Sequence, residues 1–118
     1  MLSTLKVSSV RWVRINSVGV EPPNPLFTPK DNVYRPGYNI TRSVQLETGQ
    51  KIEIVCEVLQ SKLAGKPLFK CTTPSGAVVL RYTPNAAARG ILAKYQVAHN
   101  YNGHEFFGFR RDDVRKGS

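Results

Sequence analysis

The chain is short of the residues on which catalysis and cross-linking usually rest. It contains two cysteines, Cys56 and Cys71, two histidines, His99 and His104, one methionine and one tryptophan in 118 residues. Two cysteines are too few for a disulfide scaffold or for a four-ligand zinc site of their own. The histidines flank a turn with no third ligand in the pattern, so no metal and no cofactor are expected. No run of about 20 apolar residues is present, so no membrane-spanning helix is expected. The opening Met1-Leu2-Ser3-Thr4-Leu5-Lys6 lacks the apolar stretch of about 7–15 residues that a signal peptide needs, and the expected setting is an intracellular, reducing compartment. Gly103 and Gly108 bracket a bulky aromatic run, which is not the pattern of a phosphate loop. Acidic residues are scarce, 8 against 17 Lys and Arg, leaving a formal net charge of +9.

That charge is the one oddity of composition. The apolar share of 41% and charged share of 21% are those of an ordinary globular domain with a core of its own. The bases sit at both ends. Residues 1–45 hold six against two acids, residues 46–80 four against three, and residues 81–118 seven against three. No five bases stand in a row, and Asp112-Asp113 interrupts the densest group, Arg110, Arg111, Arg115 and Lys116. Such a field favours anionic partners. It equally makes a soluble basic face, so Arg110, Arg111 and Arg115 are candidates for anion or partner contact and no more.

Periodicity gives the fold. Ser9 to Val20, with Trp12, reads as a strand. Pro22, Pro23, Pro25 and Pro29 then exclude a helix interior or a central strand, leaving a connector that drapes Leu26 and Phe27 over the core. Residues 38–46 read as a strand and residues 47–50 as a turn. From Lys51 to Leu59, Ile52, Ile54, Cys56 and Val58 alternate with Lys51, Glu53, Val55, Glu57 and Leu59, the mark of a half-buried strand. Strands at Leu68–Thr73 and Val78–Tyr82, joined by short Gly/Pro turns, complete an antiparallel meander. Thr83-Pro84 then caps a helix over 84–97, with Ala88, Ile91, Leu92 and Tyr95 on one face and Gly90 at a point of close packing. A final strand is expected from His104 to Phe109. The expected core joins Ile52, Ile54, Cys56, Val58, Phe69, Ile91, Leu92, Phe107 and Phe109. The fold class is α+β, one domain, with an antiparallel sheet and one main helix packed on a face.

No catalytic constellation emerges. A cysteine nucleophile needs a base and a depressed pKa, and Cys56 lies on an apolar strand face. A hairpin around residues 60–66 puts Cys71 on the neighbouring strand; the register, and with it a disulfide or two separate thiols, stays open. Phe106-Phe107-Gly108-Phe109 before Arg110-Arg111 admits base stacking plus charge for RNA, or phenylalanines alternating into a core from an edge strand. The second reading is adopted.

Several segments resemble one family. Tyr34-Arg35-Pro36-Gly37-Tyr38-Asn39-Ile40-Thr41-Arg42 resembles the start of an FYRN motif. Cys56-Glu57-Val58 is similar to the family's Cys-Glu-Ile strand, and Pro67-Leu68-Phe69-Lys70 to the Pro-Leu-Phe that opens its second half. Thr83-Pro84-Asn85-Ala86 falls where that half starts its helix. Gly103-His104-Glu105-Phe106-Phe107-Gly108-Phe109, with Val114, looks like an FYRC signature. The family is the phenylalanine/tyrosine-rich, or FYR, domain of histone methyltransferases, plant histone demethylases and a nuclear regulator of TGF-beta signalling. The resemblance implies two half-motifs forming one non-catalytic α+β module, here in compact contiguous form. It implies protein–protein association in a chromatin setting, in the nucleus rather than the cytoplasm.

On that basis residues 1–33 form an N-terminal extension, 34–114 the module, and 115–118 a tail. Tyr34, Gly37, Tyr38, Thr41, Arg42, Cys56, Phe69, Gly103, Phe106, Phe107, Gly108 and Phe109 are the motif residues, mainly structural. The chain departs from the family at Ala87-Ala88, where Cys-Trp is common on the helix, and at Ser43 and Val44, where an aromatic is usual. Trp12 is a candidate to fill the space beside Ala87 and Ala88. The expected function is a non-catalytic interaction module of a larger protein. The alternatives are a basic nucleic-acid-binding domain acting through the +9 charge, and a scaffold module outside the nucleus.

Overall fold

The computed structural model describes residues 7–29, 32–46, 48–62, 65–95 and 102–109, with side chains in the first strand from Arg14 onward. Five strands form one antiparallel sheet whose spatial order is their chain order: β1 (Val7–Val18), β2 (Tyr38–Leu46), β3 (Lys51–Gln60), β4 (Pro67–Thr72) and β5 (Val78–Arg81). Helix α1 (Pro84–Ala93) follows β5, and a one-turn helix α2 (Gly103–Phe106) closes the described chain. The fold is α+β.

Alternation along β3 is as the pattern predicts. Ile52, Ile54, Cys56 and Val58 are buried, and the residues between them are exposed or half-buried. Register carries the rule to the neighbours. Ile40 pairs with Cys56 and Cys56 with Cys71, while Val44 pairs with Ile52 and Val58 with Phe69. One face of the sheet is therefore apolar across β2, β3 and β4. All nine expected core residues belong to a single buried cluster, joined by Phe27, Tyr34, Tyr38, Ile40, Val44, Leu46, Cys71, Val79, Ala87, Ala88 and Phe106. The extension belongs to the sheet: β1 pairs with β2 through several register shifts.

Helix α1 starts where Thr83 and Pro84 direct it. The Thr83 hydroxyl accepts from the Ala86 N–H, and proline stands at the start of the helix, where no N–H is required. Gly90 is a point of contact, since a Cβ there would stand 2.9 Å from Val79 Cγ1.

Three expectations are corrected. The helix ends at Ala93, with Lys94 and Tyr95 turning back onto the carbonyls of Ile91 and Leu92; residues 96 and 97 lie outside the described residues. The segment His104 to Phe109 is not a strand. Asn102 Oδ1 accepts from the N–H groups of His104 and Glu105, which starts a helical turn, and Gly108 then reverses the chain at φ 75°. Phe106, Phe107 and Phe109 are consequently all buried, instead of alternating, and none offers a face for stacking on a base. Third, the connector lays Phe27 over the core but turns Leu26 outward; the Trp12 side chain lies outside the described residues. Ala87 and Ala88 are themselves fully buried.

Candidate functional site

The first motif grips the last. On β2, Tyr38, Ile40, Arg42, Val44 and Leu46 share the inner face. That parity places a cation, Arg42, in the core at 6% exposure. A buried charge needs partners, and the carbonyls at the end of α2 supply them. Arg42 Nε donates to Phe106 O at 3.0 Å and Nη2 to Glu105 O at 2.6 Å. Glu105 O also accepts from the Gly108 N–H at 3.0 Å, in the turn that ends α2. Tyr38 adds a third tie, its hydroxyl donating to Phe107 O at 2.6 Å. Tyr34, in the approach to β2, shares a hydrogen bond of 2.5 Å with His104 Nε2.

Aromatic rings fill the space these bonds enclose. Phe69 meets Tyr34 edge-on at 4.9 Å and Phe107 at 5.6 Å, and Phe109 lies 5.1 Å from both tyrosines. These are favourable edge-on and tilted geometries. Burial raises the Tyr34 pKa above its ordinary value of 10.0. Gly103 pins α2 to α1. Its N–H donates to Asn85 Oδ1 at 2.5 Å, and a side chain at 103 would run into the backbone of Pro84 and Asn85.

The cysteines lie beside this knot. Cys56 and Cys71 face each other across β3 and β4, both fully buried, with Sγ atoms 4.0 Å apart and no disulfide. Burial first, and then the Cys71 thiol, push the Cys56 pKa well above the usual thiol value. The shift favours the protonated thiol at neutral pH.

Where the knot reaches the surface it forms one wall of an open cleft of about 380 Å³, lined by Leu26, Pro29, Tyr34, Lys66, Pro67, Phe69, Tyr82, Thr83, Pro84, Asn85 and His104. The connector is fixed in place to build the opposite wall. Asn24 Oδ1 accepts from Leu26 N in a 3-10 helical turn, Pro25–Phe27, while Asn24 Nδ2 donates to Gly65 O. The Tyr34 N–H donates to Phe27 O at 2.7 Å. Phe27 is thereby buried, and Leu26 is turned outward at 51% exposure. Tyr82, just beyond β5, is 61% exposed. No carboxylate stands among the described residues that line the cleft, and Lys66 there is exposed.

No protein-family model matches the chain, and no curated protein matches it significantly.

Of the motif residues, the structure brings Tyr34, Tyr38, Arg42, Phe69, Gly103, Phe106, Phe107 and Phe109 into the knot, with Gly108 as its turn. Cys56 is in the same core. Gly37 lies in the turn before β2, and Thr41 points to the other face of the sheet, where its hydroxyl meets Arg14 and Asn16. Arg110, Arg111 and Arg115 lie outside the described residues. Lys66, Tyr82, Asn85 and the outward turn of Leu26 are absent from the sequence reading. The parity of Val78 and Leu80 signals that Tyr82 is exposed, but not that it faces the cleft. Lys66 and Asn85 had no signal.

Proposed function

We propose that this chain is a non-catalytic protein–protein interaction module, a divergent FYR-type domain of a larger regulatory protein in a chromatin setting. The observation that carries the reading is the cleft beside the knot. Two large apolar side chains, Leu26 and Tyr82, stand exposed on its walls over a frame tied down by hydrogen bonds. Exposed apolar and aromatic groups on a rigid support, with a cation at the rim, are the composition of an interface centre. The knot supports the FYR likeness: Tyr34, Tyr38 and Arg42 of the first motif bond His104, Phe107, Phe106 and Glu105 of the last.

The +9 charge favours the rival, nucleic-acid binding. Two features weigh against it. Arg42 is committed inside, and the described exposed bases are spread over β1, β3, the β3–β4 loop, β5 and α1. The deciding experiment is affinity capture by the intact chain at two salt concentrations, with and without nuclease, using wild type and a Leu26→Asp/Tyr82→Asp double variant. Protein partners retained after nuclease and lost with the double variant are expected. Salt-sensitive capture of nucleic acid that ignores the variant would replace the reading with its rival.

A further inference from the structure

The cleft walls offer little to a ligand that adds a strand. Pro29, Pro67 and Pro84 stand among the lining residues and have no N–H to donate, whereas strand addition depends on main-chain donors and acceptors. A polyproline II segment does without them. Its backbone makes no internal hydrogen bonds, stays solvated, and docks by its side-chain faces on aromatic-lined grooves. Tyr82, 61% exposed, supplies such a ring, over a floor made by the buried Tyr34 and Phe69.

Exposure favours a chain segment over a small molecule. The volume of about 380 Å³ is at the low end of the roughly 300–1,000 Å³ that hold small ligands. A ligand confined to that space leaves the outer parts of Leu26 and Tyr82 in water. A segment running across both walls covers them. Charge fixes the remaining feature: Lys66 is exposed at the rim, no Asp or Glu is among the described lining residues, and the whole chain carries +9.

We infer that the cleft receives an extended, proline-rich segment of a partner protein, bearing a carboxylate beside its apolar anchor. This rests on the interaction reading above and names its partner. The chain's own Glu21-Pro22-Pro23 has the same chemistry, which makes a second copy the competing occupant. Repulsion between two bodies of +9 each favours the foreign segment.

The test uses the full chain and fluorescein-labelled dodecapeptides of proline and leucine, carrying two glutamates, two glutamines or two lysines. Fluorescence anisotropy should rank them in that order of affinity. Lys66→Glu should invert the order, with changes of about three- to ten-fold, the scale of exposed ion pairs. Tyr82→Ala should weaken the glutamate peptide by about five-fold or more, as loss of an aromatic anchor does. Both residues are exposed, and unchanged unfolding midpoints establish that the variants are folded. Amide shifts on titration should gather at Leu26, Lys66, Tyr82, Thr83 and Asn85. Binding indifferent to peptide charge and to both variants would overturn the inference. Shifts centred on Val78 and Leu80 would remove the partner from the cleft while leaving an interaction module intact. Concentration-dependent dimerisation in sedimentation, abolished by Glu21→Lys, would overturn the foreign partner and assign the cleft to a second copy.

Discussion

The two faces of the sheet are built by the same strands and finished by different means. On the inner face, the described side chains of β2 and of β3 from Ile52 to Val58 are buried, and the one charge, Arg42, is hydrogen-bonded by carbonyls from the last motif. The outer face is divided. Toward β1 it is polar and self-satisfied: Thr41 is buried at 4% and meets Arg14 and Asn16, and Asn16 Nδ2 also donates to Asn39 Oδ1 at 2.9 Å. Toward β5 it turns apolar, with Val55, Leu59 and Leu68 half-buried and Val78 and Leu80 exposed. Burial alone therefore does not distinguish the faces. Dependence on distant sequence does: the inner face is complete only when the last motif is in place.

The sharpest way to break that distinction is to divide the chain. Residues 34–59 and 67–114, expressed apart, are expected to give collapsed amide spectra, because neither can seal the inner face and about 25 residues bury too little to fold alone. Dispersed spectra from both pieces would refute interdependence.

Next in size are substitutions inside. Ile54→Ala, at a fully buried site, should lower stability by about 2–5 kcal/mol through lost contacts and a cavity. Arg42→Ala should lower it by a similar amount, about 2–5 kcal/mol, because two charge-assisted hydrogen bonds in the core are lost and a cavity is left. Denaturant midpoints measure both.

A smaller effect follows from Tyr34. Its pKa is raised in the folded chain by burial. Above the unfolded value of about 10, the unfolded state gives up a proton that the folded state retains, so stability falls as pH rises through that value toward the folded pKa. Unfolding midpoints at pH 9 to 11 should show this fall, and Tyr34→Phe should reduce it. At neutral pH the same variant should lose about 0.5–1.5 kcal/mol, the value of one net hydrogen bond. The smallest change is expected outside: Leu80→Thr should stay within about 0.5 kcal/mol of wild type in the same measurement.

The sheet was legible because its evidence is local. The alternation in β3 and the glycine and proline turns set strand boundaries to within a residue or two, and Thr83-Pro84 marked the start of α1. The last motif looks like strand because three phenylalanines stand within four residues, Phe106, Phe107 and Phe109 around Gly108, while what makes it helical is a single capping residue. Asn102 followed by Glu105 was the available signal, of the kind seen where a helix begins. The knot residues were named through the family likeness, but the task of Arg42 was not. Its parity on β2 puts a cation inward, and its partners stand more than 60 positions away. The cleft was invisible for the same reason, being assembled from Leu26, Lys66, Tyr82 and His104, which lie in four separate segments.

Those long separations also order events in time. Each strand of the meander pairs with its immediate predecessor, so the sheet can assemble by successive short loop closures, which are the fast ones. The ties of Tyr34, Tyr38 and Arg42 span 70, 69, 64 and 63 positions, and none can form until the segment around 103–109 has left the ribosome. Until then Arg42 must stay hydrated, which holds the nascent sheet open on its inner side. Closure of the knot is then the late step. Arg42→Ala should accordingly quicken unfolding while leaving the folding rate nearly unchanged in stopped-flow kinetics, and an equal loss on the folding arm would place the knot in the nucleus instead.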